Sequence, residues 1–428
     1  MPPSTRTELI GGTATFLAMA YIIVVNPAIL RAAGLPTGAS TVATIVVAAF
    51  GSFLMGVWAK RPIAVAPYMG ENAFIAFGLA ALGVTWQQRL GAVFVSGVIF
   101  LIITFLGLRA WLANSISPSL KYSFAAGIGL FLAFIGLNET GIVAAGTGVP
   151  VKIGNLHSAE VLLAIGGFIV IVVLLQRRVR GAILIGIAAT AIAGAFLGLG
   201  HAPRGIFAMP FVGDYSLAPI ALKLDITGVL RLSFLPILLT LFLMSFLDTV
   251  GTLIGVGAAG GMLDERGNFP RIERPMTVDA VACIVSGLVG TSTSGAYIES
   301  AVGIREGART GLAAITTAAW FALALFFIPL VEPLQQLRFA YGPALVAVGV
   351  LMLDSVRHID FADLTELAPA FATIAMMVFT YNIANGLTAG LVLHPLMKLL
   401  TGRLREINAG SAVLALLCLV YYAFGLPH

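Results

Sequence analysis

The sequence predicts an all-α polytopic membrane protein with about 14 transmembrane segments in two inverted seven-segment repeats. Its 428 residues are 59% hydrophobic and only 10% charged, with a mean hydropathy of +1.02. A soluble domain carries about 25% charged residues. Apolar runs long enough to cross a bilayer recur from Ile10 to Tyr422. Two short runs broken by polar residues also lie half a chain apart.

The apolar runs form two sets with the same order of lengths. Each set has a long run, a medium run, a short and interrupted run, another long run and then three more. The first set is 8–31, 40–58, 66–80, 86–106, 118–136, 158–176 and 181–200, and the second is 233–258, 277–290, 296–306, 309–330, 341–354, 364–380 and 382–400. Because each set has an odd number of runs, the second enters the membrane from the opposite face.

The predicted organisation has four parts. They are a first repeat over 1–201, an extracytoplasmic linker over 202–232, a second repeat over 233–400 and a C-terminal apolar segment over 401–428. The linker contains Pro203, Pro210 and Pro219, which favour a loop, with room for a surface helix. The run 410–425 is short for a span, so a fifteenth pass and a helix lying in the interface both remain open.

Charge predicts the orientation and excludes several classes of protein. With a cytoplasmic N-terminus in the cell membrane, most of the 24 Lys and Arg fall in cytoplasmic loops. These residues are scattered, which gives no indication of nucleic-acid binding. Cys283 and Cys418 lie in apolar runs and imply no disulfide framework. No Walker-type loop, Cys/His metal spacing or Ser-His-Asp arrangement supports an enzyme or a metal site.

Three acidic residues, Glu71, Asp248 and Glu299, are predicted to lie within the membrane. An ionisable side chain at the bilayer centre costs about 2.5–3.5 kcal/mol even on the lenient insertion scale, so each needs a reason. Ser245, Asp248 and Thr252 have helical spacing and predict one polar stripe. The stripe indicates a substrate or proton site, and the alternative is a carboxylate satisfied by neighbouring hydroxyls for packing.

The two interrupted runs, 67–78 and 290–303, carry Pro, Gly and hydroxyl residues. Each also contains Glu, a small polar residue and Ala, at 71–73 and 299–301. Extended backbone at this depth is tolerated only where it is buried in protein or lines a cavity. We expect the second helix to begin near Tyr297, with its Glu and free N–H groups facing a cavity. A carboxylate that merely stabilises a helix N-terminus is the structural alternative.

Five stretches together resemble one family of transporters. They are TELIGGTATFLAMAYIIVVNPAIL (7–30), PYMGENAFIAF (67–77), FLDTVGTLIGV (246–256), GTSTSGAYIESAVG (290–303) and YNIANGLTAG (381–390). The chain is similar over nearly its whole length to the nucleobase–cation symporter 2 (nucleobase/ascorbate transporter) superfamily, in its azaguanine-like hypoxanthine/guanine/adenine permease branch. The resemblance implies a core domain from segments 1–4 and 8–11 and a gate domain from segments 5–7 and 12–14. Segments 3 and 10 would each be a short antiparallel β-strand followed by a half-helix.

The resemblance also implies proton-coupled uptake of a purine nucleobase by alternating access. The proton motive force replaces any cofactor, and the expected partners are protons, membrane lipid and a second copy in a homodimer. By position, Asp248 matches the eighth-segment acid that contacts substrate, Glu299 the tenth-segment Glu that binds the base, and Asn72 a third-segment Asn. A purine edge offers N–H donors to carboxylates, and an amide serves donors and acceptors. Phe74 or Tyr297 is expected to stack on the ring.

Two positions depart from the pattern of this branch. Ser245 stands where a second acid is usual, and Glu71 stands where an apolar residue is usual. Our hypothesis is that the missing carboxylate has moved across the cavity, which changes its geometry and affects substrate choice. Asp248 or Glu71 is the expected proton carrier.

Other solutes on the same fold remain alternatives, namely uracil, xanthine or an anion. Anion binding is disfavoured, because three acids and no Lys or Arg are predicted to lie within the membrane. An uncoupled channel or a membrane receptor is a second class, and it would need no proton-binding acid.

Overall fold

The structure is a computed structural model, and it describes residues 4–108, 111, 115–200, 203, 205–264 and 269–424. Residues 202 and 204 of the predicted linker lie outside the described residues. So do the last residue of the 410–425 run and the rest of the C-terminal segment to 428.

Within the described residues, nine helices are long and apolar enough to cross a membrane, and three shorter apolar helices accompany them. The first half of the chain contains the elements of seven predicted segments. They are α1 (Thr5–Met19), α2 (Ile22–Ala32), α3 (Thr37–Leu54), β1 (Val65–Pro67), α4 (Met69–Ala73), α5 (Leu79–Ala81), α6 (Trp86–Phe105), α7 (Pro118–Glu139), β2 (Val143–Ala145), β3 (Val151–Ile153), α8 (Ala159–Gln176) and α9 (Ala182–Phe196). One π-helical turn, Met55–Ala59, extends α3, and another, Phe74–Gly78, joins α4 to α5.

The second half repeats this order after a linker that is mostly irregular. Its elements are α10 (Ile226–Val229), α11 (Leu235–Ala259), α12 (Glu273–Val289), β4 (Ser294–Ala296), α13 (Ser300–Arg305), α14 (Gly311–Ala324), α15 (Ile328–Val331), α16 (Arg338–Met352), α17 (Leu364–Phe379), α18 (Ile383–Leu400) and α19 (Ala409–Phe424). Short 3₁₀ turns lie at Gly213–Tyr215, Leu232–Phe234, Leu325–Phe327, Pro333–Gln336, Leu353–His358 and Leu404–Glu406. The predicted helical membrane fold is confirmed, and α19 packs against α18.

Local sequence signals explain several of these boundaries. Thr85 and Gln88 form a capping box that starts α6, each side chain bonding the other's backbone N–H. Ser117 caps α7, and Pro118 occupies its first turn, where a missing N–H costs nothing. Gly290 ends α12 with a φ of 100°, a left-handed conformation that favours glycine.

The strands β1 and β4 pair with each other and so confirm the strands predicted in segments 3 and 10. The pairing is antiparallel, with Ala66 opposite Gly295. Backbone bonds continue beyond both ends, from Tyr68 N to Thr293 O and from Tyr297 N to Ala64 O, each 2.9 Å. Inverted repeats make their interrupted segments meet head to tail, which is the direction an antiparallel pair requires.

Side chains of neighbouring helices satisfy the outer edges of this two-stranded ribbon. On the β1 edge, the Ser52 hydroxyl bonds both the N–H and the C=O of Val65, at 2.9 and 3.1 Å. On the β4 edge, the Asp279 carboxylate accepts from the N–H of Ala296 at 2.9 Å. An open sheet edge in hydrocarbon would leave these groups unpaired, so the ribbon depends on α3 and α12.

The helices pack in two sets. In one set, α14 packs against α1 and α3, and α12 packs against α6. In the other set, α7 packs against α16 and α17, α8 packs against α9, and α17 packs against α18.

Small residues allow close backbone contact within the first set. A Cβ on Gly311, at the start of α14, would lie 2.0 Å from the carbonyl oxygen of Gly56. A Cβ on Gly303 of α13 would lie 2.3 Å from the carbonyl oxygen of Gly11 of α1. Such contacts provide the packing energy of helices in lipid, where no hydrophobic effect drives association.

Replacing Gly311 with Ala is expected to lower the free energy of unfolding by about 1–3 kcal/mol, because two backbones must separate. Thermal unfolding in detergent measures this change. Gly166→Ala in α8 is the matched control, since nothing lies within 4 Å of its Cβ position. Equal thermal stability of the two variants would contradict the close contact.

Candidate functional site

A cavity of about 1360 Å³ lies between α7 and α11, and the ends of β1 and β4 form part of its wall. Its polar lining includes Tyr21, Tyr68, Asp248, Thr252, Tyr297 and Glu299. The lining also includes Lys121, Tyr122, Asp264, Arg271 and His358. Four of these are exposed to solvent, so we take this end as the mouth of the cavity. These mouth residues lie at the start of α7 and beyond the ends of α11 and α16, on the face that the charge distribution predicts to be cytoplasmic.

The structure brings half of the predicted site residues to this cavity and places the others one layer behind it. Asp248, Thr252, Tyr297 and Glu299 line it. The others are Glu71, Asn72, Phe74 and Ser245, which are fully buried and do not line it. Of the two predicted stacking residues, Tyr297 lines the cavity in this conformation and Phe74 does not.

Glu299 presents its side chain, rather than a free helix terminus, to the cavity. The predicted start near Tyr297 is close to the observed one, because a turn over 297–299 leads into the helix that begins at Ser300. The N–H groups of Ser300 and Ala301 bond carbonyl groups three residues earlier, so these two do not face the cavity unpaired. This happens because the chain turns tightly after β4. The Tyr21 hydroxyl donates to Glu299 Oε1 at 2.8 Å.

Two equivalent tyrosines form an aromatic wall. Tyr68 follows β1 and Tyr297 follows β4, and their rings stack with centroids 6.5 Å apart. The Tyr297 hydroxyl donates to the carbonyl of Pro67 at 2.5 Å, and Tyr68 Oη lies 2.9 Å from Thr249 Oγ1. A Cβ on Gly295 would lie 2.0 Å from Tyr68 Oη, so glycine makes room for this ring.

Sequence reasoning overlooked three of the cavity tyrosines, two of which, Tyr21 and Tyr68, lie near Glu299 and Tyr297. Tyr68 could have been found, because it holds the same place after β1 that Tyr297 holds after β4. Tyr21 carried no such signal. It lies inside an apolar run predicted as one span, and the structure breaks that span between α1 and α2 at this point.

A further acid, Asp279, is as fully buried as Glu71, so the prediction of only three acids within the membrane is wrong. Its Oδ2 accepts from the Thr249 hydroxyl at 2.8 Å and from the N–H of Ala296 at 2.9 Å. Oδ1 has no hydrogen-bond partner in the described part of the chain. The apolar run 277–290 placed this residue at a helix end. Because α12 begins earlier, at Glu273, its second turn is already inside the protein.

The predicted polar stripe on α11 exists and reaches the third segment. The Ser245 hydroxyl donates to Glu71 Oε2 at 2.7 Å. The carboxyl groups of Glu71 and Asp248 are close enough to interact electrostatically. Asp248 lies one turn beyond Ser245 and faces the cavity, and Thr252 does so one turn further along. The stripe thus connects a fully buried carboxyl group with one that a ligand can contact.

Asn72 takes part in a buried polar cluster centred on Asn26. The Asn26 side-chain amide donates to Thr44 at 2.7 Å and to Thr291 at 3.0 Å. Its carbonyl oxygen accepts from Asn72 at 2.8 Å and from Ser292 at 3.2 Å. Asn72 Oδ1 has no partner among the described residues. This cluster fixes α2, α3 and both interrupted segments together behind the cavity.

A cluster of ion pairs lies at the end of α18. Lys398 Nζ contacts Glu406 at 2.7 Å and Glu366 at 3.0 Å. The Thr365 hydroxyl and N–H, with the Arg403 guanidinium, hold the pKa of the Asp363 carboxyl well below its usual range.

Over the described ranges, no group of three or more His, Cys, Asp or Glu is placed to hold a metal ion.

The family model for xanthine/uracil permeases, described as a permease family, matches residues 6–389. The chain belongs to this family. The predicted resemblance is therefore confirmed, and the chain is a multi-pass membrane permease rather than an enzyme. A putative permease of Methanocaldococcus jannaschii is 43% identical over 98% of this chain and 95% of its own length.

Two further relatives carry substrate names. The adenine permease AdeP of Escherichia coli is 39% identical over 98% of this chain and 93% of its own. The guanine/hypoxanthine permease PbuO of Bacillus subtilis is 39% identical over 97% of this chain and 96% of its own.

The fold is shared with solved structures of more distant transporters. The transmembrane domain of the cyanobacterial bicarbonate transporter BicA superimposes with a TM-score of 0.64 at 17% identity, covering 90% of this chain and 97% of that one. SLC26A9 gives a TM-score of 0.61 at 12% identity, covering 92% and 65%. At these identities the likeness concerns the fold alone, and it confirms the two inverted seven-segment repeats.

Cysteine labelling tests the position and opening of the cavity. Thr252→Cys, on the cavity wall, is expected to react with a membrane-impermeant maleimide added to the face on which α11 ends and α12 begins. Thr240→Cys, on the same helix but fully buried, is the matched control and is expected to stay unlabelled. Both native cysteines are buried, so background labelling is low. Labelling of Thr252→Cys only from the opposite face would contradict this opening.

Proposed function

We propose that this permease is a proton-coupled symporter that takes up a purine nucleobase by alternating access. The observation that carries the proposal is the pairing of two carboxyl groups, Asp248 and Glu299, with stacked tyrosine rings in one cavity. Relatives named as adenine and guanine/hypoxanthine permeases support a purine as the substrate class.

The chemistry of the cavity suits a neutral purine. Ring and exocyclic N–H groups of the base would donate to Glu299 and Asp248, and charge-assisted bonds of this kind are the strong ones. Tyr21 occupies one oxygen of Glu299, leaving the other for the ligand. Tyr297 offers an aromatic face for stacking. The four predicted residues behind the cavity would position these groups, and substrate contact by Glu71, Asn72, Phe74 or Ser245 would require another conformation.

Proton coupling is supported by the charge balance of the site. Glu71 and Asp279 are fully buried, and the ion pairs of the described residues lie elsewhere. Burying an isolated carboxylate is so costly that the group takes up a proton instead. A proton that enters with the base would add one positive charge to the transported load, so membrane potential would drive uptake.

Alternating access is supported by the way the helices pack. The first packing set contains elements of segments 1–4 and 8–11, and the second contains elements of segments 5–7 and 12–14. We assign these sets to the core and gate domains. The cavity lies where α7 of the gate faces α11 of the core, so relative movement of the two would open it to either side. With a cytoplasmic N-terminus, this conformation faces inward. The homodimer is proposed from the resemblance alone.

Anion transport is the alternative suggested by the fold of BicA, and the cavity disfavours it. Basic residues occur at the mouth, in Lys121 and Arg271, while the inner wall carries Asp248 and Glu299. Carboxylates facing the ligand would repel an anion.

Uptake of labelled bases tests the function. Glu299→Gln and Asp248→Asn are each expected to weaken uptake of the preferred purine about 10- to 100-fold, because a hydrogen bond to a charged group is worth about 1.5–3 kcal/mol. Adenine, guanine, hypoxanthine, xanthine and uracil are compared by competition, with and without an uncoupler. Membrane insertion of each variant is measured in parallel.

Thr240→Val is the control and should transport normally, because this buried hydroxyl has no hydrogen-bond partner among the described residues and lies outside the cavity. Normal purine uptake by both acid variants would refute the proposed binding site. Uptake that is insensitive to the uncoupler would refute proton coupling.

A further inference from the structure

We infer that Glu71 is the residue whose proton accompanies the substrate. Glu71 lies behind the cavity, and when it is protonated the negative charge of the Glu71–Asp248 pair lies on Asp248. This inference rests on the proposed function and deepens it. Glu71 is therefore a positioning residue that sets the charge of the binding group without touching the base.

The first observation is the set of hydrogen bonds around Glu71. Its side chain is fully buried, and Oε2 accepts from Ser245 at 2.7 Å. Oε1 lies close to the hydroxyl of Thr293, without a well-aligned hydrogen bond between them. A protonated carboxyl carries one O–H donor, and a hydroxyl accepts as well as donates. The pocket can therefore hold Glu71 in its protonated form with a partner for each oxygen.

The second observation is the electrostatic surroundings of the carboxyl group. The titratable side chains that interact with Glu71 are Tyr68, Asp248, Asp279 and Cys283. None of these is a cation, and no ion pair of the described residues involves Glu71. Two neighbouring carboxylates without a cation do not both ionise readily. The pair therefore favours a single negative charge.

The third observation decides where that charge lies. Asp248 lines the cavity and is partly exposed, whereas Glu71 is sealed behind it. Charge is more stable on the group that water or a ligand can reach. The Asp248 carboxylate can then accept an N–H of the base, while neutral Glu71 remains bonded to Ser245.

The contact also fits the hypothesis, drawn from the resemblance, that one carboxyl group has moved across the cavity. The two positions named in that hypothesis, Ser245 and Glu71, are bonded directly to each other. A carboxyl group at either position would therefore lie beside the same hydrogen-bond partner.

Equilibrium binding over a pH series tests this inference in the purified full chain. Binding that requires one protonated carboxyl weakens about tenfold for each pH unit above its titration. Wild type is expected to show this decline on the alkaline side. Glu71→Gln keeps the shape and the hydrogen bonds but cannot titrate, so its affinity should stay constant over the same range. It should bind the base yet no longer concentrate it with a pH gradient.

Two variants complete the experiment. Thr240→Val, on the same helix, should keep the wild-type pH profile. The exchanged pair Glu71→Leu with Ser245→Glu should recover the alkaline decline that Glu71→Leu alone lacks. An alkaline decline in Glu71→Gln equal to that of wild type would overturn the inference. Complete loss of binding in Glu71→Gln would also overturn it, because that result would make Glu71 a direct contact.

Infrared spectroscopy separates this inference from the proposed function, because it needs no substrate. The carbonyl stretch of a protonated carboxyl is expected in the ligand-free protein and should lose the Glu71 component in Glu71→Gln. If no purine binds wild type but this component is found, the proposed function fails and the protonation of Glu71 stands. If the stretch is unchanged in Glu71→Gln, the inference fails whatever the substrate.

Discussion

The antiparallel pairing of β1 and β4 is the constraint on which the rest of this structure depends. Two membrane segments stop being helical at the same depth, and their backbone groups can only be satisfied by each other. The ribbon still has two outer edges, which Ser52, Asp279 and Cys283 serve; the thiol donates to the carbonyl of Ser294 at 3.0 Å. These side chains are therefore part of the backbone structure of the site.

The ribbon also explains why the polar groups are divided into two layers. Each strand ends just before a tyrosine that lines the cavity, so Tyr68 and Tyr297 form one wall. Further along, the half-helices diverge: Glu299 reaches the cavity, while Glu71 points into the protein and meets α11 at Ser245. Glu71 lies three residues after Tyr68 and Glu299 two residues after Tyr297, so the two repeats place their carboxyl groups in different surroundings. One is suited to binding a ligand and the other to holding a proton.

Much of this could be predicted from the sequence, because hydrophobic runs and interrupted segments are strong signals in a membrane. The runs located the helices, and the Pro- and Gly-containing breaks located β1 and β4. The depth at which each polar side chain is buried, and the residues around it, could not be predicted. Asp279 was missed because a short apolar run hides how early α12 becomes buried, and Tyr21 because a break inside an apolar span leaves no polar signal. The prediction that Glu71 and Glu299 share one hollow assumed that matching short motifs hold matching places. Counted from the tyrosine that follows each strand, however, Glu71 is the third residue and Glu299 the second, and one residue turns a helical side chain by about 100°.

The central claim is that a base binds against the ends of this ribbon, between the acids of α11 and the tenth segment. A structure of the protein with a bound purine tests it most directly. We predict that the purine lies beside Tyr297, with N–H groups within hydrogen-bond distance of Glu299 and Asp248, and that Glu71 makes no contact with it. A purine bound elsewhere, with this cavity filled only by water, would contradict the account.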